Sequence, residues 1–337
     1  MNEKRSIGII GIGMIGGSLA LALKDSCKVV GYDKDDDVRA YAEKNGICTV
    51  VEPSAMRECE VIFVCVPIYA MKKVLDGLPS VVGDRPIITD VASVKAPFAS
   101  TRGKYVGGHP MAGTERGGIA AAKAHLFENA YYVLTSNDGD AQTVKSVAEL
   151  TGAIVIHMDA QTHDRAVAAF SHVPHAIAYA QVTSALKSGA QPIAGSGFLD
   201  ATRIAQSDEK FWTEVFKLNK QNVREGIKAF SGELEKLDRM LANDDYAAIE
   251  EYLACSRQKR DALNRTDLGG EVLYVDLVDR VGEFERVTGA IARAGINVTN
   301  IALVPARQNA SGALRLEFAC PSDKSKAQSV LDELNNG

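Results

Sequence analysis

The chain has 337 residues, 46% of them apolar and 24% charged, with a formal net charge of −5. That length gives room for two or three domains and the mixture is globular; the acidic balance excludes a general affinity for nucleic acid while leaving room for a local basic pocket. No apolar run reaches the roughly 20 residues of a membrane helix, and the apolar start is punctuated by glycines, unlike a secretory leader.

Along the chain, "SIGIIG" reads as a short strand and "MIGGSLALALKD" as a helix. "CKVVGYD" is a second strand, "DDVRAYAEKNG" a glycine-closed helix, and "EVIFVCVP" and "RPIITDVAS" are further strands. Continuous Val/Ile runs separated by helices predict a parallel sheet covered on both faces. "KYVGGHP", "AYYVLT" and "AIVIHMD" are predicted strands whose order the pattern leaves open, and this unit is expected to close near residue 158. From 159 to 264 the period is helical throughout. "EKFWTEVFKLNKQNVREGIKAFSGELEKLDRML" holds no obvious breaker, and such apolar-striped helices without a sheet predict a homodimer-forming domain. After "NRTDLGG" the period changes again. Residues 270–337 read β-α-β-β-α, most of a ferredoxin-like α+β unit. Six cysteines, at 27, 48, 59, 65, 255 and 320, form no C-x-x-C pair, which fits a reducing cytoplasm better than disulfides or zinc.

Gly11-x-Gly13-x-x-Gly16 follows the first strand and opens the first helix. In that context Gly11 permits a tight turn, Gly13 lets backbone approach a pyrophosphate, and Gly16 lets helix pack on strand. The phosphates are then expected on the helix N-terminus around Met14 and Ile15. Asp33, at the end of the second strand, is placed to accept from ribose hydroxyls. Its charge opposes a 2′-phosphate and favours NAD over NADP, although Lys34 beside it would help a phosphate. The unit is therefore expected to be a Rossmann-type NAD-binding domain. Val66, Pro67 and the stretch Asp90 to Ser93 end parallel strands and line the same crevice.

"GGHPMAGTERGG" sets His109 among small residues at a predicted strand end. Small neighbours allow a substrate and a nicotinamide to approach the imidazole, and histidine titrates near neutrality, which suits a base taking a hydroxyl proton as hydride leaves. A surface histidine in a loop is the competing reading. "FSHVPHAIAYA" holds His172 and His175 around Pro174, a predicted helix start, three apart and on one face. Backbone-capped helix-end histidines are the plainer alternative for His172. A metal held by these two and His163 has no supporting ligand spacing, and no metal is expected. Asp200 and Arg203, three apart on a predicted helix, form either a surface ion pair or an oriented guanidinium for an anionic substrate. Trp212 reads as core.

Together "IGIIGIGMIGGSLALALK", "TDVASVK", "VGGHPMAGTERGG", "SHVPH" and "GSGFLDATRIAQSDEKFW" resemble the prephenate/arogenate dehydrogenases of tyrosine biosynthesis, in matching order from about residue 5 to 260. The tail resembles an ACT domain, with Asp279-Arg280-Val281-Gly282 where that module has D-x-P-G. The resemblance implies NAD-dependent oxidation and decarboxylation of prephenate to 4-hydroxyphenylpyruvate. It implies His109 as the base and Ser93 as the residue holding His109, the hydroxyl or the nicotinamide in line. Arg203 would grip the substrate carboxylate, with His175 and His172 nearby. Thr114 and Glu115 would line the mouth, and Asp200 with Glu115 would gate Arg203. It also implies a tyrosine effector, bound around Asp279, Gly282 and Asn297. With the nucleotide unit read from the start, no chorismate mutase module is expected ahead of it.

Three rivals stand beside this reading. One is arogenate as substrate. Another is a β-hydroxyacid dehydrogenase, whose catalytic lysine the GGHP loop argues against. The last is a non-catalytic sensor of dinucleotide and amino acid, which would have no use for His109, Ser93 and Arg203 together.

Overall fold

The computed structural model describes residues 4–113, 117–189, 193–265, 271–278, 280–304 and 313–336. Thr114, Glu115 and Asp279 lie outside them. The chain divides into two compact units, residues 1–236 and 237–337.

The first unit opens with β1 (Ser6–Ile10), α1 (Met14–Leu23), β2 (Lys28–Tyr32), α2 (Asp36–Lys44), β3 (Thr49–Val50), β4 (Val61–Val64), α3 (Ile68–Val82), β5 (Ile87–Asp90) and β6 (Tyr105–Val106). The six strands form one parallel sheet in the order β3-β2-β1-β4-β5-β6. This is the doubly wound order, whose ligand crevice lies outside the carboxyl ends of the strands. Alternate residues serve opposite faces, as the two-residue period requires. Ile7, Ile9, Val61 and Phe63 join one apolar core with α1 and α2; Ile10, Ile62 and Val64 join another with α3. Both faces are buried, which explains why these strands read as unbroken apolar runs.

The predicted strand "KYVGGHP" is two strands. β6 ends at Val106, and β7 (Gly108–Pro110) joins a second sheet, antiparallel to β8 (Tyr131–Leu134). β8 pairs in parallel with β9 (Ile154–His157), and α4 (Gly139–Ala148) packs between them in sequence. His109 therefore sits within β7, opposite Val133, just past the sheet's end.

Helices α5 (Ala160–Val167) and α6 (Val173–Ala185) flank a π-helical turn at Ala168–His172. Asp159 caps α5 by accepting from Gln161 and Thr162 N–H, and Pro174 lies in the first turn of α6, where its missing N–H costs nothing. α7 (Ser196–Thr202), α8 (Glu209–Leu218) and α9 (Lys220–Ala242) follow. The long helix expected from Glu209 onward breaks at Asn219, whose side chain donates to the Asp164 carbonyl at 2.8 Å instead of projecting to solvent. Trp212 and Val215 of α8 insert into the α3-side core, fastening the helical segment to the sheet.

The second unit contains α10 (Tyr246–Arg265), β10 (Glu271–Asp276), α11 (Glu283–Arg293), β11 (Asn300–Val304), β12 (Ala313–Phe318) and α12 (Pro321–Asn336). Its three strands are antiparallel in the order β10-β12-β11. Leu273, Val275, Leu314, Leu316 and Phe318 bury one sheet face against Val287, Ile291, Ala327 and Leu331 of α11 and α12. The β-α-β-β-α order read from the sequence is present. No helix among the described residues is long and apolar enough to cross a membrane.

Candidate active site

The glycine turn has the close approaches that the motif predicts. Gly11 adopts φ +93°, and a Cβ there would lie 2.8 Å from the Cys65 carbonyl oxygen. A Cβ on Gly16 would strike the Gly11 carbonyl, whereas Gly13 faces open space. Gly13 caps α1 without a side chain, and the space where a Cβ would stand is open, as the approach of a phosphate to a helix N-terminus requires. Asp33 accepts the Ile12 N–H at 2.8 Å and the Asp35 N–H at 3.1 Å, tying the end of β2 to the glycine turn. Val66 and the exposed Pro67 follow β4 at the same rim.

A buried ionic cluster holds the histidine strand. Asp90 and Lys95 are both essentially inaccessible, and Lys95 Nζ meets Asp90 Oδ2 at 2.6 Å. Lys95 Nζ also donates to the Gly108 carbonyl. Asp90 Oδ1 accepts the Gly108 N–H at 3.0 Å and the Tyr105 hydroxyl at 3.1 Å. Gly108 has no room for a side chain, since a Cβ would lie 2.6 Å from the Asp90 carbonyl oxygen. Bare backbone at His109 thus serves close packing: β7 lies flat on the end of β5 and is bonded there by a charge pair. Burial lowers the Lys95 pKa, opposed by Asp90 and Asp164.

His109 is half-buried. Desolvation holds its pKa well below 6.5, with the Lys95 cation the next cause and His163 and His172 after it, so the ring is neutral at physiological pH. Its Nδ1 lies 2.8 Å from His163 Nε2, and His163 Nδ1 lies 2.8 Å from Asp164 Oδ1. Asp164 also accepts the backbone N–H groups of Lys95 and Ala96, each at 2.8 Å. Ser93, in the segment between Asp90 and Lys95, has a buried Oγ with no hydrogen-bond partner among the described residues. A buried hydroxyl left open in this way fits a ligand group arriving in the crevice.

His175 and His172 both face Trp212. The His175 ring stacks on the indole with centroids 3.5 Å apart, and His172 meets it edge-on at 5.8 Å. His175 Nδ1 donates to the Ser171 carbonyl at 2.8 Å, which leaves Nε2 as its outward atom. Its pKa is lowered by partial burial, opposed by that bond, with the Arg203 charge a further lowering cause. His172 is 1% exposed and 3.1 Å from Asn219 Nδ2, so it lies behind the site surface, not in it. Arg203 is exposed and stands at the end of α7, one residue beyond the helix expected to carry it; Asp200 is exposed within α7. The structure thus brings His109, Ser93 and the glycine turn to one sheet edge, and His175 beside Arg203. His163, Asp164, Lys95 and Asn219 are further members that the sequence pattern did not single out in these roles. Among the described residues no three His, Cys, Asp or Glu side chains form a metal site.

Comparison with known proteins decides the family. The nucleotide-binding domain of prephenate dehydrogenase matches residues 19–157, and the dimerization domain of that enzyme matches residues 159–255. Prephenate dehydrogenase of Bacillus subtilis is 30% identical over 98% of this chain and 97% of its own length. The chain belongs to the prephenate dehydrogenase family. Cyclohexadienyl dehydrogenase of Zymomonas mobilis is 34% identical over 79% of this chain and 98% of its own. Among solved structures, prephenate dehydrogenase of Aquifex aeolicus in complex with hydroxyphenyl propionate and NAD+ superposes with a TM-score of 0.72. It is 28% identical and covers 77% of this chain and 98% of its own. Arogenate dehydrogenase of Synechocystis is likewise 28% identical with a TM-score of 0.70, covering 77% and 99%.

As a prephenate dehydrogenase family member the chain is an NAD-dependent oxidoreductase. Its own residues fit the cofactor. The turn at Gly11 and Gly13 with the first turn of α1 would hold the pyrophosphate, and Asp33 retains acceptor capacity for a ribose beyond its two backbone bonds.

Proposed function

We propose that the chain converts prephenate to 4-hydroxyphenylpyruvate, with His109 as the base. The observation that carries this reading is an imidazole in β7, packed on the carboxyl end of β5, with the unpartnered buried hydroxyl of Ser93 in the segment that follows β5. Bound NAD⁺ supplies the hydride acceptor. His109 accepts the proton of the ring hydroxyl as the carbon beneath it loses hydride. The bond to the ring carboxylate breaks, CO₂ leaves, its electron pair completes the aromatic ring, and the ring oxygen takes the proton back from His109. Ser93 orients the hydroxyl or the base. Arg203 binds a substrate carboxylate, with His175 Nε2 beside it. Asp200 shapes the mouth, and Val66 and Pro67 line the nicotinamide side. His172 supports Trp212 from behind. Aromatisation supplies the driving force, so orientation and proton handling are what the protein adds.

Prephenate is preferred over arogenate here because the relatives matched along nearly the whole chain, from Bacillus subtilis and Lactococcus lactis, are prephenate dehydrogenases. The same reading divides the chain at 158 and 264, makes the helical part a homodimer interface, and makes residues 270–337 an ACT unit that senses tyrosine. Meeting of the two family matches between residues 157 and 159 supports the first boundary, and the dimerization match supports the second role. Six free cysteines support a cytoplasmic setting.

The test is NADH absorbance with NAD⁺ and prephenate, then with arogenate, then with NADP⁺ in place of NAD⁺. Prephenate with NAD⁺ should give the highest kcat/KM. Faster turnover of arogenate would transfer the substrate assignment to it, and silence with both would leave a non-catalytic sensor.

A further inference from the structure

We propose that His163 and Asp164 are positioning residues that fix the tautomer of His109 and so aim its basic lone pair at the substrate. The inference deepens the base assignment above and rests on it.

The hydrogen-bond chain begins at its buried end with Asp164. Both carboxylate oxygens of Asp164 accept backbone N–H groups, Oδ1 from Lys95 and Oδ2 from Ala96. These bonds hold the carboxylate in one orientation and present lone pairs at Oδ1. The 2.8 Å contact between Asp164 Oδ1 and His163 Nδ1 therefore makes His163 Nδ1 the donor. With His163 in its neutral form the one N–H of the ring is on Nδ1, and Nε2 carries a lone pair. The next contact, also 2.8 Å, then makes His109 Nδ1 the donor. His109 is neutral, so its own lone pair is left on Nε2. With both rings neutral each step has a single solution, and the proton-accepting atom of the base is set by two buried residues, His163 and Asp164.

Burial makes this arrangement binding. His163 is wholly inaccessible and Asp164 is 2% exposed, so water cannot replace either partner. The two imidazoles meet edge to face, with planes 72° apart, so the bond also fixes the rotation of the His109 ring. β7 is held separately by Asp90 and Lys95, which leaves His163 the task of orienting the ring. When His109 Nε2 takes the hydroxyl proton, the ring becomes an imidazolium that still donates Nδ1–H to His163. His163 in turn still donates to Asp164. No proton passes beyond His109; the pair holds the tautomer and stabilises the cation, the role a buried carboxylate plays behind a catalytic histidine elsewhere.

Selective ¹⁵N-histidine labelling of the full chain tests this directly, because only six histidines have to be assigned. Long-range ¹H–¹⁵N correlation spectra of the unsubstituted protein should show neutral His109 protonated at Nδ1. Protonation at Nε2 would overturn the proposal, and this measurement does not depend on any variant folding. Kinetics supply the second arm. Glutamine at 163 can accept from His109 through Oε1 and donate to Asp164 through Nε2, whereas leucine can do neither. His163→Leu should lower kcat by roughly 100-fold or more with KM for prephenate and NAD⁺ little changed, and His163→Gln should recover most of that loss. Equal activity of the two variants would overturn the proposal. His109→Asn is run beside them. Normal turnover by His109→Asn would mean that the base assignment has failed; loss in His109→Asn with wild-type kcat in His163→Leu would mean that the positioning role alone has failed.

Discussion

At His172 the imidazole is 1% exposed, its Nδ1 faces Asn219, and one ring edge meets Trp212. Desolvation lowers its pKa from 6.5 to about 4, and the nearby Asp164 charge only partly opposes this. The sign of the consequence is definite. Between these two values the unfolded chain binds a proton that the folded chain refuses, so stability is full above pH 6.5 and falls as pH drops, levelling off below about 4. Integrated over that window, the loss is about 3 kcal/mol. Urea titrations followed by fluorescence of the single tryptophan, which stacks on His175 and touches His172, should show the midpoint dropping through this window. His172→Gln, which cannot titrate, should flatten the slope; an unchanged slope would move the proton uptake to another group. Most of this was closed to sequence reading. The spacing of His172 and His175 placed both on one helix face, and both do face Trp212. Which of the two is solvent-accessible depends on Asn219, 47 residues from His172. The link between His109 and His163 spans 54 residues and leaves no local pattern at all.

Among the elements, β7 is the one whose position decides the site; it pairs with β8, and Gly108 bonds it to Asp90 and Lys95. An alanine Cβ there would lie 2.6 Å from the Asp90 carbonyl oxygen and 2.9 Å from Thr89 Oγ1, both on the rigid end of β5. Backbone must shift to accommodate it. Gly108→Ala should therefore cost about 1–3 kcal/mol in stability by overpacking. It should also lower kcat by about 100-fold, because displacing a catalytic group by an ångström misaligns it with the reacting atoms. Thermal unfolding and steady-state kinetics on one preparation measure both effects; a stable variant with full kcat would show that β7 can slide without moving His109. Elements of this sheet differ in how plainly the chain announces them. β1, β4 and β5 are legible because each face of each strand is buried, so apolar residues run on without alternation. The break between β6 and β7 is not, since strands of two and three residues carry no period and the chain changes sheets through contacts with β5 and β8. The break at Asn219 escapes a periodicity argument for a related reason. Asparagine is an unremarkable helix residue until its side chain is drawn to a carbonyl on α5.

Across the whole molecule, the second unit has its own apolar core and its own sheet, and no residue of the proposed chemistry belongs to it. A unit that folds around its own core while contributing nothing to the reaction is either a sensor or an assembly device. One of its positive-φ residues lies where the resemblance to an amino-acid-sensing module would put the effector. Gly282 has φ +87° and opens α11, and Glu283 beside it is 2% exposed, bonded to Arg286 and Arg280. Hydrogen bonds from Arg286, then Arg280, hold the Glu283 carboxyl at about 2 against the effect of its burial, so the turn keeps its ion pairs through the physiological range. Asn297, exposed between α11 and β11, completes the expected effector residues among those described. L-Tyrosine added to the full-length protein should therefore lower the rate of prephenate turnover. In Gly282→Ala a side chain is forced into the left-handed region at a cost of about 1–2 kcal/mol. The tyrosine concentration for half-inhibition should rise accordingly, by roughly 5- to 30-fold if that strain falls wholly on the bound state, while kcat without tyrosine is unchanged. A shift in tyrosine sensitivity at constant basal rate is the signature of a remote sensor. Indifference to tyrosine, phenylalanine and tryptophan alike would assign the unit to assembly, and a fall in basal kcat would show that the turn at Gly282 supports the catalytic unit directly.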